Sequence, residues 1–409
     1  MKGRVLWLLM RLARRLWVRV GLFALLGVLS ALLSIWAAPL LPEDISARVG
    51  AEAVDKVLGV IASSMLTVAI FSLSTLVSAY ATAASGATPR ATQLLQEDSG
   101  ALNALATFIG AFLFSLVGII ALSTGAYGAS GRVVMFAVTL LMVALVVTTF
   151  IGWIDRLSRL GRIGETIDRV AEAAAAAMRQ RCRHPHLGGA PPRPVPAAAR
   201  AVAAEGFGYV QHIDVKALSG LTKAGEVDVA VLPGAYVARG EVLAHLPAGA
   251  DDEACAAARA AFILGERRSF EQDPRFGVIV LSEIASRALS PAVNDPGTAI
   301  DVLAALVRVL AVEAEAQESE GDCLKVHVPP LDRAALLEDC IVPIARDGAG
   351  LIEVQLRLQR MLAAIAKLPG YDEAARRLAG SAKARGLAAL SAAEDRARLA
   401  EAGAWAGER

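Results

Sequence analysis

At 409 residues, the chain is 55% apolar and balances 41 basic against 40 acidic side chains, for a net charge of +1. That is too apolar for an ordinary soluble protein and too evenly charged for a nucleic-acid binder, and the length allows more than one domain. The four cysteines, Cys182, Cys255, Cys323 and Cys340, lie far apart with no metal-ligand or CxxC spacing, which excludes a disulfide framework and fits reduced thiols.

Residues 1–19 carry Lys2, Arg4, Arg11, Arg14, Arg15 and Arg19 and no acid, interleaved with Leu6, Leu9, Met10, Leu12 and Trp17. This is the pattern of a basic amphipathic segment lying on an anionic inner leaflet. Four uncharged runs follow, at 20–42, 57–89, 99–131 and 133–154, and each reaches the roughly 20 residues that a bilayer crossing needs. The first is too long for the apolar core of a cleaved signal and is expected to stay as an anchor. The spans are placed at about 20–41, 57–87, 101–123 and 133–154, within a transmembrane domain of 20–154. Basic residues fix the orientation. The N-terminal cluster, Arg90, and then Arg156, Arg159, Arg162 and Arg169 fall on one side, against Arg48, Lys56 and Arg132 on the other. Both termini are therefore expected in the cytoplasm of a bacterial inner-membrane protein.

The second span is the most distinctive. Stepping 100° per residue, Ser64, Thr67, Ser74, Thr75, Ser78, Thr82 and Ser85 share one arc with Phe71, and Ile61, Leu66, Leu73 and Val77 lie opposite. A membrane helix with a continuous polar side needs a helix or water to receive it. Two uses fit: a helix–helix seam, or the lining of a path in which Phe71 forms a hydrophobic constriction. No charge lies within any span, so no ion-binding or proton-relay residue is on offer there. On the third span Asn103, Thr107, Gly110, Phe114 and Gly118 share a face of small and polar residues. That face is expected to pack against part of the hydroxyl side.

Thr88-Pro89-Arg90 breaks the long second helix, and a short polar hairpin follows at 93–100. Residues 155–182 read as a cytosolic continuation of span four. A Pro-rich linker is placed at 183–199, with His184 and His186 as a solvated pair rather than metal ligands. A small β-rich module is expected at 200–248, with strands at 208–213, 226–232 and 241–246 and a helix between the first two. A helical domain at 249–400 follows, with helices at 251–270, 276–289, 297–315, 331–345, 351–368 and 372–399, then a frayed tail at 401–409. Asn294 or Asp295 before Pro296 is an N-cap signature. The fold class is thus a mainly α membrane protein: four transmembrane helices, then a cytosolic α+β region with a small β-rich module and a helical C-terminal bundle.

No GxSxG, HExxH, Walker or dinucleotide glycine pattern is present, and no cofactor is expected. The densest polar cluster runs from Glu266 to Arg275 and continues with Glu283 and Arg287, spaced to pair with each other on an apolar helix. Arg267, Arg268, Asp273 and Asp295 are further partners for that pair. The cluster is either an ion-pair and capping network, or a pocket for a small anion at the helix after Asn294, lined by Arg268 and Arg287.

Several of these stretches together resemble a known family. They are Ser64-Met65-Leu66-Thr67-Val68, Thr88-Pro89-Arg90, the run from Arg268 to Gly277, Glu283-Ile284-Ala285, and Ala288-Leu289-Ser290-Pro291-Ala292-Val293-Asn294-Asp295-Pro296-Gly297-Thr298-Ala299. They resemble the bacterial predicted-membrane-protein family called domain of unknown function 2254. The resemblance spans nearly the whole chain and implies a multi-spanning inner-membrane protein, without naming a substrate. The run from Pro233 to Leu243 looks like the half-motif of biotinyl/lipoyl-type barrel-sandwich modules, but no lysine occupies a hairpin tip there, so no covalently carried cofactor is implied.

Three functions remain open on this sequence. The first is a homo-oligomeric channel or transport protein with span two beside a central path and a cytosolic sensing or gating region. The second is a non-conducting membrane scaffold or signalling receptor. The third is a membrane-anchored enzyme using Asp273, Glu283 and Asp295.

Overall fold

The computed structural model describes residues 51–407, apart from 97–98, 124–128, 160, 222–224 and 316–321, together with six scattered positions between 18 and 29. Apart from those six positions, the basic N-terminal segment and the expected first span lie outside the described residues. The chain divides into two compact units. One takes Ala84–Thr92 together with Ile163–Arg409, and the other takes Gln93–Arg162 and the chain up to Ala83.

Among the described residues, the smaller unit has three helices long and apolar enough to cross a membrane. They are α1 (Ala51–Gly86), followed after the short α2 (Pro89–Gln96) by α3 (Ser99–Ser123) and α4 (Ala129–Leu157). The third span sits deepest, with Phe108 and Phe114 fully buried among Leu58, Met65, Met135, Met142 and Trp153. Its Gly118 permits a close approach: a Cβ there would run into Met135 Cε and lie 3.0 Å from Leu58 Cδ1. Small residues let helix backbones meet where no hydrophobic drive separates lipid from protein. The continuation expected after span four is broken instead. Gly161, at φ +83°, ends the helical path after Leu157, and α5 (Ile163–Arg183) starts afresh in the larger unit.

The larger unit joins two small sheets to a helical bundle. Strands β1 (Gly189–Ala190), β2 (Arg200–Ala203), β4 (Val227–Val229), β6 (Val242–Leu246) and β8 (Cys323–His327) form a mixed sheet of order β1-β8-β4-β6-β2. Strands β3 (Gly208–Ile213), β5 (Tyr236–Val237) and β7 (Phe262–Gly265) form an antiparallel one of order β5-β3-β7. Val202, Val210, Ile213, Leu218, Val227, Leu243, Leu246 and Val326 make their common core, together with the short α6 (Val215–Ser219) and α7 (Asp252–Ala260). The single helix expected over 251–270 therefore stops at Ala260. Phe262 to Gly265 pair instead with Ile213 to Tyr209, because pairing satisfies the backbone groups on the β3 edge, which another helical turn would leave open, and buries Phe262.

The expected linker is held in place. Gly189 pairs with Cys323 in parallel register, and His186 Nδ1 lies 2.7 Å from Val328 O. Arg193 donates twice to the buried carboxylate of Asp228, at 2.9 and 3.1 Å. His186 is thus a backbone partner and not a solvated side chain.

The bundle comprises α5, α8 (Pro274–Ala288), α9 (Pro296–Glu315), α10 (Arg333–Asp347), α11 (Ile352–Ile365), α12 (Asp372–Ala389) and α13 (Ala393–Ala402). Helix α5 packs on α8 and α9, crossing α8 so closely that a Cβ on Gly277 would lie 2.8 Å from Ala174 Cα. The expected single helix 372–399 breaks at Leu390, and the part of the expected frayed tail that is described, to Gly407, is helical or turned and packed. Leu399 is buried, and Arg376 reaches the Trp405 carbonyl at 2.8 Å with its guanidinium over the indole.

Candidate functional site

Two groups of residues carry the functional question, one in each unit. In the smaller unit, α1 buries Val54, Leu58, Ile61, Met65, Ala69, Ser72, Leu76 and Ala83. By 100° steps that face lies roughly 130° around the helix from the hydroxyl arc. The third-span face therefore does not meet the hydroxyl side. Thr107, Gly110, Phe114 and Gly118 are buried, with Gly118 set against Leu58 and Met135, and Asn103 is exposed. The reason is packing: Gly118 leaves room that the Leu58 and Met135 side chains fill.

The hydroxyl side turns away from the rest of its own unit. Thr67, Phe71, Ser74, Ser78 and Thr82 are exposed, Phe71 at 64%, while Ser64 and Thr75 are half-buried and Ser85 lies in the last turn of α1. Much of the outward surface is nonetheless apolar, since Val60, Leu66, Ile70, Leu73 and Val77 are exposed too. Several hydroxyls bond back to their own helix. Ser64 Oγ donates to Val60 O at 2.6 Å, Thr67 to Ser63 O at 3.1 Å, Thr75 to Phe71 O at 2.9 Å and Thr82 to Ser78 O at 3.0 Å. A hydroxyl satisfied in this way does not need water or a neighbour to avoid an unpaired donor.

In the larger unit the charged cluster resolves into separate contacts. Arg268 grips Asp273 with two bonds, Nε to Oδ2 at 2.8 Å and Nη2 to Oδ1 at 3.0 Å, and its guanidinium lies 5.2 Å from the Phe276 ring centroid. Asp273 is 2% exposed and also caps α8, accepting from Phe276 N at 3.1 Å, with Pro274 in the first helical position. Burial pushes its carboxyl up from the ordinary range, against the pull of Arg268. The Pro233-Gly234 turn passes directly over the pair. Gly234 has φ +92°, and a Cβ there would lie 2.6 Å from Asp273 Cγ and 2.8 Å from Arg268 Nη2. Only glycine meets both demands.

Glu283 does not pair along its helix with Arg287, which is exposed. Its ion pair is with Arg90, just past the Thr88-Pro89 break. Ala87, Thr88, Ala91 and Thr92 are buried within the larger unit, and this seats Arg90 at the α8 surface. Partial burial raises the Glu283 carboxyl, with Arg90 and then Arg268 pulling it back. The turn before α9 is a self-contained cap. Asp295 accepts from Thr298 N at 3.0 Å and Thr298 Oγ1 at 2.6 Å, which holds its carboxyl below the usual range, while Asn294 is exposed at φ +49°. An anion at this helix start would compete with Asp295, and Arg268 is already turned to Asp273. The structure thus brings together Arg268 with Asp273 and Arg90 with Glu283, and leaves Arg287, Asn294 and Asp295 apart from them.

Sequence reasoning passed over Arg181, which is 5% exposed. A signal was available, since Arg181 continues the 167, 170, 174, 177, 178 stripe of α5 whose other members are all apolar and buried. Among the described residues, no group of His, Cys, Asp and Glu is arranged to hold a metal ion.

A family model described as "Predicted membrane protein (DUF2254)" matches residues 13–364. Proteins of Mycobacterium tuberculosis and Mycobacterium bovis, each described as an uncharacterized protein, are 31% identical over 191 residues. The matched segment is 43% of this chain and 36% of each relative, so the chain spans little more than a third of their length. No solved structure matches.

Proposed function

Given that the chain belongs to the DUF2254 family of predicted membrane proteins, we propose that it works as a homo-oligomeric channel or transport protein of the bacterial inner membrane. In this reading both termini are cytoplasmic, the hydroxyl-bearing side of α1 borders a central path, and the larger unit senses or gates. The observation that carries the proposal is the outward turn of that side: Thr67, Ser74, Ser78 and Thr82 face away from the fold of their own unit, where other copies could meet them. Phe71, on the same side, is placed to constrict such a path. Cysteine accessibility scanning along residues 64–85 tests it. Water-soluble thiol reagents should label the hydroxyl positions in membranes and leave the Met65–Ser72–Leu76 face unlabelled. Single-channel recording should show a conductance that rises in Phe71→Ala and falls in Ser78→Leu. No conductance under any condition, with the hydroxyl positions unlabelled, would reject it.

A second reading is favoured by one observation, the bonding of Ser64, Thr67, Thr75 and Thr82 to their own helix carbonyls. Such a surface can be a dry seam between copies of a scaffold or signalling receptor. Self-association with an unlabelled hydroxyl side would select it.

A further inference from the structure

Among the described residues, the larger unit holds a buried cation, Arg181, with no carboxylate in contact. The Arg181 side chain closes the apolar stripe of α5. Its Nη2 donates to Pro329 O at 2.8 Å, and its Nε is buried without a hydrogen-bond partner. Among the described residues no carboxylate lies within ion-pairing distance of it. A guanidinium taken out of water without a contacting counter-charge is costly, and burial lowers its pKa to about 10, against the weaker pulls of Cys182 and then Asp273. Isolated buried charges of this kind are retained where something else supplies the opposite charge.

Arg181 lines a cavity of about 310 Å³, together with Cys182, Glu313, Arg333 and Pro330. Across it Glu313 gives one oxygen to Arg333 Nε at 2.6 Å, and its Oε2 is buried with the Tyr371 hydroxyl as its neighbour, neither making a full hydrogen bond. Two guanidiniums against one carboxylate leave the lining with an excess positive charge, while Glu313 Oε2 offers an acceptor. We propose that this cavity binds a small anion, a carboxylate or phosphate carrying a hydroxyl or amino group, with the anionic group on Arg181 and the donor on Glu313. The site is independent of whether α1 borders a conducting path, and would make the larger unit a metabolite sensor in either assembly.

The test uses purified full-length protein in nanodiscs. Thermal unfolding is followed in acetate, inorganic phosphate and glycine against chloride at equal ionic strength. At concentrations several times Kd the wild-type midpoint should rise by about 2–4 °C in at least one of them. The arms separate carboxylate from phosphate, and glycine against acetate reports the donor to Glu313. Arg181→Met should lose the rise, and Glu313→Gln should lose any advantage of glycine.

A second readout needs no variant. Cys182 borders the cavity and is half-buried, while the other three cysteines are buried. Phosphate or acetate should slow its alkylation by neutral iodoacetamide, and anionic iodoacetate should react there faster relative to iodoacetamide than it does in Arg181→Met. No rise above chloride with no protection of Cys182 overturns the proposal, as does an equal response in Arg181→Met.

Discussion

Arg90, which follows the membrane-spanning helix α1 by only a few residues, is ion-paired to Glu283, which stands 193 positions later on the apolar helix α8. The side chains are 60% and 27% exposed, so solvent and salt screen the pair. Each of Arg90→Ala and Glu283→Ala should therefore cost at most about 1 kcal/mol, with a coupling of about 0.5 kcal/mol in a double-mutant cycle. That coupling should fade in 1 M salt, and Arg90→Glu should be rescued by Glu283→Arg. Thermal unfolding of the four proteins measures it.

The Arg268–Asp273 pair should behave differently, because it is buried. Asp273→Ala strands a guanidinium that cannot shed its charge and removes the α8 cap, at a cost of about 3–5 kcal/mol. Arg268→Met should cost less. The carboxyl it leaves behind is already pushed up by burial and can take a proton. In Arg268→Met, stability contributed by the neutral acid is present below the ordinary carboxylate pKa and lost as pH rises through the raised value. Denaturant midpoints between pH 4 and pH 8 should show this variant gaining on the wild type as the solution becomes acidic.

His212 on β3 supplies a pH effect of the same origin and the opposite sign. Burial lowers its pKa, outweighing the pull of Asp214 and then Glu271. The folded chain favours the neutral ring, so its full contribution is present above the unfolded pKa of about 6.5 and declines as pH falls below that value. His212→Gln should flatten the stability profile between about pH 7 and pH 5. An unchanged slope would assign the acid sensitivity elsewhere.

Gly277→Ala should push α5 away from α8, since the added carbon would lie 2.8 Å from backbone at Ala174. A cost of about 1–3 kcal/mol is expected. Ala174→Gly in the same chain should recover part of it, because the Ala174 methyl is one of the atoms in the way. Comparing unfolding of the single and double variants checks this.

Periodicity and punctuation made much of this molecule legible. Uncharged length marked the three described spans, and Asp295-Pro296 marked the start of α9 through a cap that the structure contains. What escaped was decided by partners distant in sequence. An alanine-rich run from Ala254 to Ala261 favours helix locally, yet Phe262 leaves it for the open edge of β3, and nothing near Phe262 announces that edge. The prolines around Pro191 read as a linker, while Arg193 finds Asp228 35 positions later. Glu283 and Arg287 have the spacing of a helix pair, but Arg90 reaches the carboxylate instead. On α1 the arc was visible, and its direction was not. A helical wheel sorts residues by side, and only the volumes of Leu58, Gly118 and Met135 decide which side is covered.

The alcohols that bond to their own carbonyls also bear on how such a chain is made. Ser64, Thr67, Thr75 and Thr82 bring their donors to the bilayer already quenched, so α1 can leave the insertion machinery alone, without waiting for a sister chain. In the proposed homo-oligomer, biogenesis would then separate into insertion first and association afterwards, and newly synthesised chains, caught by pulse labelling, should be single before they are multiple.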